Sequence, residues 1–210
     1  MREAKELVGN EILYGAVLAG GRSTRMGRDK RFLKLDGEFL VDRAIKVVAD
    51  AISGSTESVY LCGRVPNRDC VVDVLPNLGP LGGILSALQL VRTKNPEQEA
   101  WLLVVPVDMP LLNPNPLKDL ISAISDIGSN FSRVVAFEDY EMPFIIHCDS
   151  FTEKTLTAIC HSIRPSERSI RTLKDAVGVH QIPLKSVFFE SMLNANSPQD
   201  WERTSTGGLS

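Results

Sequence analysis

The chain has little of what marks most specialised classes of protein. It holds four cysteines in 210 residues, Cys62, Cys70, Cys148 and Cys160. None pairs in C-x-x-C spacing, which excludes the usual zinc and dithiol patterns. They read as small apolar residues of a protein kept in the reduced cytoplasm. The histidines are as sparse: His147, His161 and His180 are scattered and suggest no metal centre. No apolar run reaches the ~20 residues that a membrane helix needs. The opening MREAKELVGNE lacks the apolar core of a secretory leader, so none is expected. Neither sign of charge dominates. Lys and Arg number 23 against 26 Asp and Glu, a formal net charge of −3, which argues against a general nucleic-acid binder. Both common phosphate signatures are missing too: there is no G-x-x-x-x-G-K-[ST] and no clean G-x-G-x-x-G.

What is present is an alternation of short apolar runs with amphipathic stretches. With 43% hydrophobic residues and no linker or repeat, 1–210 reads as one domain. Its ends, 1–10 and 204–210, read as flexible. Ile12 to Leu18 is a strand buried on both faces. Val41, Ala44, Ile45, Val48 and Ile52 recur at helical spacing and predict a helix over 41–52. Val59–Cys62 reads as a second strand and Cys70–Asp73 as a third. Leu81, Ile84, Leu85, Leu88 and Val91 form the next helical face, after Pro80. Trp101–Val105 is the strongest strand and is expected at the centre of the sheet. A helix over 116–127 follows. Strands at 133–137 and 144–148 flank the acidic turn Glu138-Asp139-Tyr140-Glu141, so a hairpin there would make the sheet mixed. Ser150-x-x-Glu153 reads as a capping box and Ser166 as a second cap. Val179–Leu184 and Val187–Phe189 read as late strands. The pattern implies an α/β fold, a three-layer α/β/α Rossmann-like domain with a mostly parallel sheet.

The chemistry concentrates where strands end. After Leu18 the chain runs Ala19-Gly20-Gly21-Arg22-Ser23-Thr24-Arg25-Met26-Gly27-Arg28-Asp29-Lys30. Glycines let backbone N–H groups approach phosphate oxygens, and Arg25 and Lys30 add cationic donors. Asp73 ends the third predicted strand. Asp108 follows the strongest strand, at the edge where ligands collect in open α/β sheets. A carboxylate there suits Mg²⁺, which prefers oxygen ligands and keeps waters or phosphate oxygens as well.

Leu18 to Lys30 resembles the L-A-G-G-x-S-x-R-M-G-x-D-K signature of the nucleotidyltransferases, and within them the molybdenum cofactor guanylyltransferases, the MobA family. Asp73 to Gly83 resembles that family's D-x₆-P-L-x-G segment. Val105-Pro106-Val107-Asp108-Met109-Pro110 resembles its metal-binding aspartate motif. Asn194-Ala195-Asn196-Ser197-Pro198-Gln199-Asp200 resembles its N-x-N-T-P-E-D element. Gly63 departs from the asparagine that many members place there, so any nucleotide contact at that point comes from backbone. The pattern is also altered around Met142-Pro143-Phe144, and Arg168 and Arg171 stand where an R-S-L-R element would contact an anionic acceptor.

The resemblance implies a transfer of GMP from GTP to molybdenum-molybdopterin, forming a guanine dinucleotide and pyrophosphate. It implies that Leu18, Ala19, Gly20 and Gly21 present backbone groups to the nucleotide, that Asp73 contacts it, that Arg25 and Lys30 hold the triphosphate, and that Asp108 carries Mg²⁺. It further implies a cytoplasmic monomer in transient contact with molybdenum-insertion or chaperone proteins. Two rival readings stay open on the sequence. One is a nucleotidyltransferase with another phosphorylated acceptor. The other is a nucleotide-binding accessory protein without turnover.

Overall fold

Seven strands of this chain hydrogen-bond into one sheet, with helices packed on both faces. A computed structural model describes residues 6–7, 11–20, 32–75, 78–127 and 132–206. The elements in chain order are β1 (Glu6–Leu7), β2 (Glu11–Leu18), the small hairpin β3 (Lys34–Leu35) and β4 (Glu38–Phe39), α1 (Leu40–Ala51), β5 (Val59–Cys62), α2 (Pro80–Lys94), β6 (Ala100–Pro106), α3 (Pro114–Ser122), β7 (Val134–Phe137), β8 (Phe144–His147), α4 (Ser150–Cys160), α5 (Ile170–Val177), β9 (Val179–Ile182) and α6 (Pro198–Thr206). Among the described residues no helix is long and apolar enough to cross a membrane.

The sheet runs β5-β2-β6-β8-β7-β9, with β1 beside the start of β2. β2 is parallel to β5 and β6, and β7 is parallel to β9. β8 is antiparallel to both its neighbours, so the acidic turn does close a hairpin and the sheet is mixed. β6 lies in the interior of the sheet and all seven of its residues are buried. Its side chains alternate between two cores. Trp101, Leu103 and Val105 join Val41 and Val48 of α1 and Leu117 and Leu120 of α3. Leu102 and Val104 join Ile84, Leu85 and Leu88 of α2, Leu156 of α4 and Leu173 of α5. Each fully buried Leu or Val contributes ~1.5–3 kcal/mol, so two complete cores hold three layers together.

Several boundaries differ from the sequence reading. The expected strand at Cys70–Asp73 is a single bridge, Val71 beside Cys62. Past it the chain leaves the sheet, because the Val74 N–H donates to Ser86 Oγ on α2 at 2.9 Å. The 1–10 lead-in holds the short strand β1, since Glu6 pairs with Ile12 and Leu7 with Glu11. The helix expected over 116–127 starts earlier, at Pro114, and gives way to a 3₁₀ turn over Ala123–Asp126. The cap of α4 is Asp149 rather than Ser150, its carboxylate accepting the Thr152 N–H at 2.7 Å. Ser169, not Ser166, caps α5. Val187 and Phe188 lie in a 3₁₀ turn instead of a strand, held by the Phe188 N–H to the Lys185 carbonyl. The tail expected from 204 on begins inside α6: Thr204 is buried and its hydroxyl donates to the Asp200 and Trp201 carbonyls.

Candidate active site

Three parallel strands end level with one another. Leu18 of β2 is in register with Cys62 of β5 on one side and Pro106 of β6 on the other. The first residues beyond them are stitched together. The Ala19 N–H donates to the Cys62 carbonyl at 2.8 Å, and the Val107 N–H donates to the Leu18 carbonyl at 3.1 Å. The three exits therefore form one rigid rim, with Ala19 buried and Gly20 exposed at its centre. Leu18, Ala19, Gly20, Asp73 and Asp108 of the sequence reading all belong to this end of the sheet. Gly21, Arg25 and Lys30 lie outside the described residues.

Gly63 explains how tightly the rim closes. It has φ +110°, and a Cβ built on it would stand 2.6 Å from the Gly20 nitrogen and 2.9 Å from its Cα. An asparagine here would both strain its own backbone and push Gly20 outward. Glycine at 63 thus lets the backbone of Ala19 and Gly20 pack directly against it. The glycines of α2 act differently. A Cβ on Gly83 would meet Cys62 Cβ at 3.0 Å and Leu18 Cδ2 at 3.3 Å, and one on Gly82 would meet the Leu75 carbonyl at 2.9 Å. Close packing against β5, β2 and the loop before the helix accounts for this glycine pair. It seats the N-terminus of α2 directly on the rim. That terminus starts at Gly79 and Pro80 with no side-chain cap, the kind of helix start whose first N–H groups can serve a ligand.

Asp73 sits beside the end of β5. Burial first, and the Asp73 charge second, push the Cys62 thiol up to about 12. Asp73 Oδ1 is itself buried with no hydrogen-bond partner among the described residues. An acceptor left in that state is costly, by ~1–3 kcal/mol, and is offset when a ligand donor reaches it.

Asp108 follows β6 and is partly buried. Its surroundings are fixed from three directions. The Ala195 N–H donates to its carbonyl at 2.8 Å, the Leu112 N–H closes the turn onto the Met109 carbonyl at 3.2 Å, and Arg43 Nε of α1 donates to the Pro110 carbonyl at 2.9 Å. Ala195 is buried and belongs to the asparagine-rich segment before α6. That segment is pinned in turn, because the Asp200 carboxylate accepts the Asn196 and Ser197 N–H groups while Ser197 Oγ accepts the Asp200 N–H. Ser197 therefore opens α6, and this helix start also braces the Asp108 loop. Sequence reasoning left this link out; the spacing of the two motifs carries no sign of it.

Among the described residues no three His, Cys, Asp or Glu side chains gather as a metal cluster. The donor set still fits Mg²⁺. This ion is commonly held by one or two carboxylates, with phosphate oxygens and waters filling its other positions. Asp108 supplies one such carboxylate at this end of the sheet.

On the other side of β6 the β7–β8 turn reaches the same end of the sheet. Lys174 of α5 is buried under it and donates to the Tyr140 and Glu141 carbonyls at 3.0 and 2.7 Å. Burial pulls its ammonium down to about 8, against the opposing pull of Glu141. Arg168 and Arg171 are exposed near α5.

Comparison with known proteins agrees with this geometry. Residues 15–184 match the family model described as the MobA-like NTP transferase domain. A molybdenum cofactor guanylyltransferase of Xanthomonas euvesicatoria pv. vesicatoria is 34% identical over 189 residues, covering 90% of this chain and 92% of that protein. A probable molybdenum cofactor guanylyltransferase of Opitutus terrae is 31% identical over 203 residues, covering 91% and 94%. Among solved structures, molybdopterin-guanine dinucleotide biosynthesis protein A of Archaeoglobus fulgidus superposes with a TM-score of 0.69 at 18% identity, covering 92% of this chain and 97% of that one. A manganese complex of Rv0371C from Mycobacterium tuberculosis H37Rv superposes with a TM-score of 0.60 at 15% identity, covering 92% and 97%. At those identities the two structures speak for the fold.

Proposed function

The chain belongs to the MobA-like NTP transferase family, and on that premise we propose that it is a molybdenum cofactor guanylyltransferase. It transfers GMP from GTP to molybdenum-molybdopterin, giving the guanine dinucleotide form of the cofactor and pyrophosphate. The observation that carries this reading is the common end of β2, β5 and β6. It brings Ala19 and Gly20, Asp73, Asp108 and the uncapped start of α2 around one rim.

An oxygen of the acceptor's terminal phosphate attacks the α-phosphorus of GTP. The new P–O bond forms as the bond to the β-phosphate oxygen breaks, and pyrophosphate leaves with that electron pair. The nucleophile is already anionic, so no covalent enzyme intermediate is needed. Catalysis reduces to positioning and to neutralising phosphate charge. Leu18, Ala19, Gly20 and Gly21 offer backbone groups to the nucleotide. Gly63 lets them approach without an intervening side chain. Asp73 accepts a donor from the nucleotide with its unspent oxygen. Arg25 and Lys30 hold the triphosphate and stabilise the leaving pyrophosphate. Asp108 holds a divalent cation, assigned as Mg²⁺. That ion, when bound, neutralises phosphate oxygens. The manganese in a structural neighbour supports a divalent ion on this fold. The chain works as one domain, as a cytoplasmic monomer, and hands its product on through transient contacts with molybdenum-insertion or chaperone proteins.

Calorimetric titration with GTP, CTP and ATP, each with Mg²⁺, tests the donor. Turnover with molybdenum-molybdopterin, followed as pyrophosphate release, then tests the acceptor. Selective GTP binding followed by turnover is expected. Preference for CTP or ATP would move the chain to another phosphorylated acceptor. Binding of GTP without turnover would make it an accessory protein.

A further inference from the structure

A second cavity lies away from the rim. It is a groove of about 1130 Å³ along the outer edge of β5, walled by α1 on one face of the sheet and α2 on the other. None of Leu18, Ala19, Gly20, Gly63, Asp73 or Asp108 lines it. Its floor is a strand edge. In the parallel pairing with β2, the Cys62 carbonyl accepts from Ala19, so Tyr60 and Cys62 turn their backbone inward and Val59 and Leu61 turn theirs outward. The Val71 N–H takes the Leu61 carbonyl at 2.8 Å, and there the added pairing stops, because Val74 is drawn off to Ser86. Val59 and Leu61 both line the groove, and among the described residues no further strand takes the Leu61 N–H or the Val59 carbonyl. An open edge of this kind is a template for one more strand.

The walls and rim say what that strand must be. Ile45 and Leu90 present apolar surface on the two faces, and Val72 beside them is 84% exposed. Lys46 and Arg68 are neutralised, the first by Glu38 and the second by Asp42, to which Arg68 donates twice at 3.1 and 2.8 Å. Glu57 and Asp69 are exposed on the rim with no cation paired to them among the described residues. A second copy meeting the edge about a two-fold axis would bring these acids against their own equivalents. We propose that the β5 edge is a docking site for an extended segment of a partner protein, with apolar residues on alternate positions and basic residues at the rim. Backbone pairing with Val59 and Leu61 fixes its register, the two walls take its side chains, and Glu57 and Asp69 select its charge. The rim that reads as the nucleotide site stays open, so docking and nucleotide binding are compatible.

A dye-labelled peptide alternating lysine and valine, and a second with glutamate for lysine, probe the site by fluorescence anisotropy. The lysine peptide should bind the wild-type chain and the glutamate peptide should not. The double variant Glu57→Lys/Asp69→Lys should weaken the lysine peptide about tenfold, as two partly screened charge pairs do, and accept the glutamate peptide. The Leu61 amide should gain protection from hydrogen exchange with the lysine peptide, with GTP affinity unchanged. Equal binding of both peptides, indifference to the double variant, or an unprotected Leu61 amide would each overturn the proposal. So would Leu61 protection that rises with protein concentration in the absence of peptide, which would assign the edge to a second copy.

Discussion

The two ends of the sheet treat their charged groups in opposite ways. At the amino end of β6, the charged side chains are spent on one another. Arg133 Nε donates to Asp149 Oδ2 at 2.7 Å, while the other Asp149 oxygen caps α4. The His147 ring lies between Glu99 and Asp149 and tilts against Trp101 at 4.7 Å between centroids. Three neutral groups at this end are exceptions: Trp101 Nε1, Ser55 Oγ ahead of β5 and Thr152 Oγ1 at the start of α4 are buried with no hydrogen-bond partner among the described residues. At the carboxyl end, Asp73 keeps an unmatched oxygen, α2 starts uncapped, and the backbone approaches itself through glycine. The contrast teaches where to look for function. Charged groups matched within the chain hold the fold, and a carboxylate kept unmatched at a cost is available to a ligand.

That contrast is open to attack by mutation. The largest effect is expected at Asp108. Asp108→Asn should lower kcat by roughly 10²–10³-fold, as loss of a charged group on a transferring phosphate does. Thermal unfolding should move little, since its carbonyl bond to Ala195 survives. Unchanged metal-dependent turnover would remove the metal assignment. Gly63→Asn comes next. The positive φ and the collision with Gly20 should cost about 1–3 kcal/mol in denaturant titrations. Calorimetry should also show weaker GTP binding, because the rim must open. An unaltered affinity would detach Gly63 from the site.

At the opposite end, Asp149→Ala should cost about 1–2 kcal/mol, the value of a lost cap, with no change in KM for GTP. Burial works against the Asp149 carboxylate, but the Thr152 N–H and Arg133 win and hold it below its ordinary value. A depressed folded-state value means that its stabilisation is complete above the ordinary carboxylate range and fades as pH falls through the folded value. The gap between wild type and variant should therefore close in acid.

Lys174 has the reverse sign. Its folded-state value of about 8 lies below the ordinary 10.5. Between those values the unfolded chain holds more protons, so stability rises with pH there. Against Lys174→Met, wild type should gain on the order of 1 kcal/mol across that window once solvent screening is discounted. The smallest change in stability is expected for Asp73→Ala. Deleting an unmatched oxygen should leave the fold neutral or up to about 1 kcal/mol more stable, while GTP binding weakens. A clear loss of stability would place Asp73 among the structural groups and blur the contrast between the two ends.

Much of this was legible residue by residue. Val59–Cys62, with four buried residues in a row, reads as a strand and is one. The run Trp101–Val105 reads as central, and its alternate side chains do serve two cores. Errors fell where local signals compete. Ser150 and Asp149 are both good caps, and only the turn out of β8 chose between them. Cys70–Asp73 has strand-like composition, yet Ser86 on a helix distant in sequence diverts the chain. The bridging of Asp108 by Ala195, across nearly ninety positions, has no local signature at all.

By itself the sequence determined the alternation of strands and helices, the two-sided burial of β2 and β6, and the motifs that point to a nucleotide. Those follow from side-chain periodicity and backbone preference, which act over a few residues. Only the tertiary structure decided that β2, β5 and β6 end level, that Gly63 lies against Gly20, that Asp73 keeps an oxygen unmatched, and that the β5 edge stays open. These depend on which distant backbone groups find partners, and pairing at a distance is settled by packing the whole sheet.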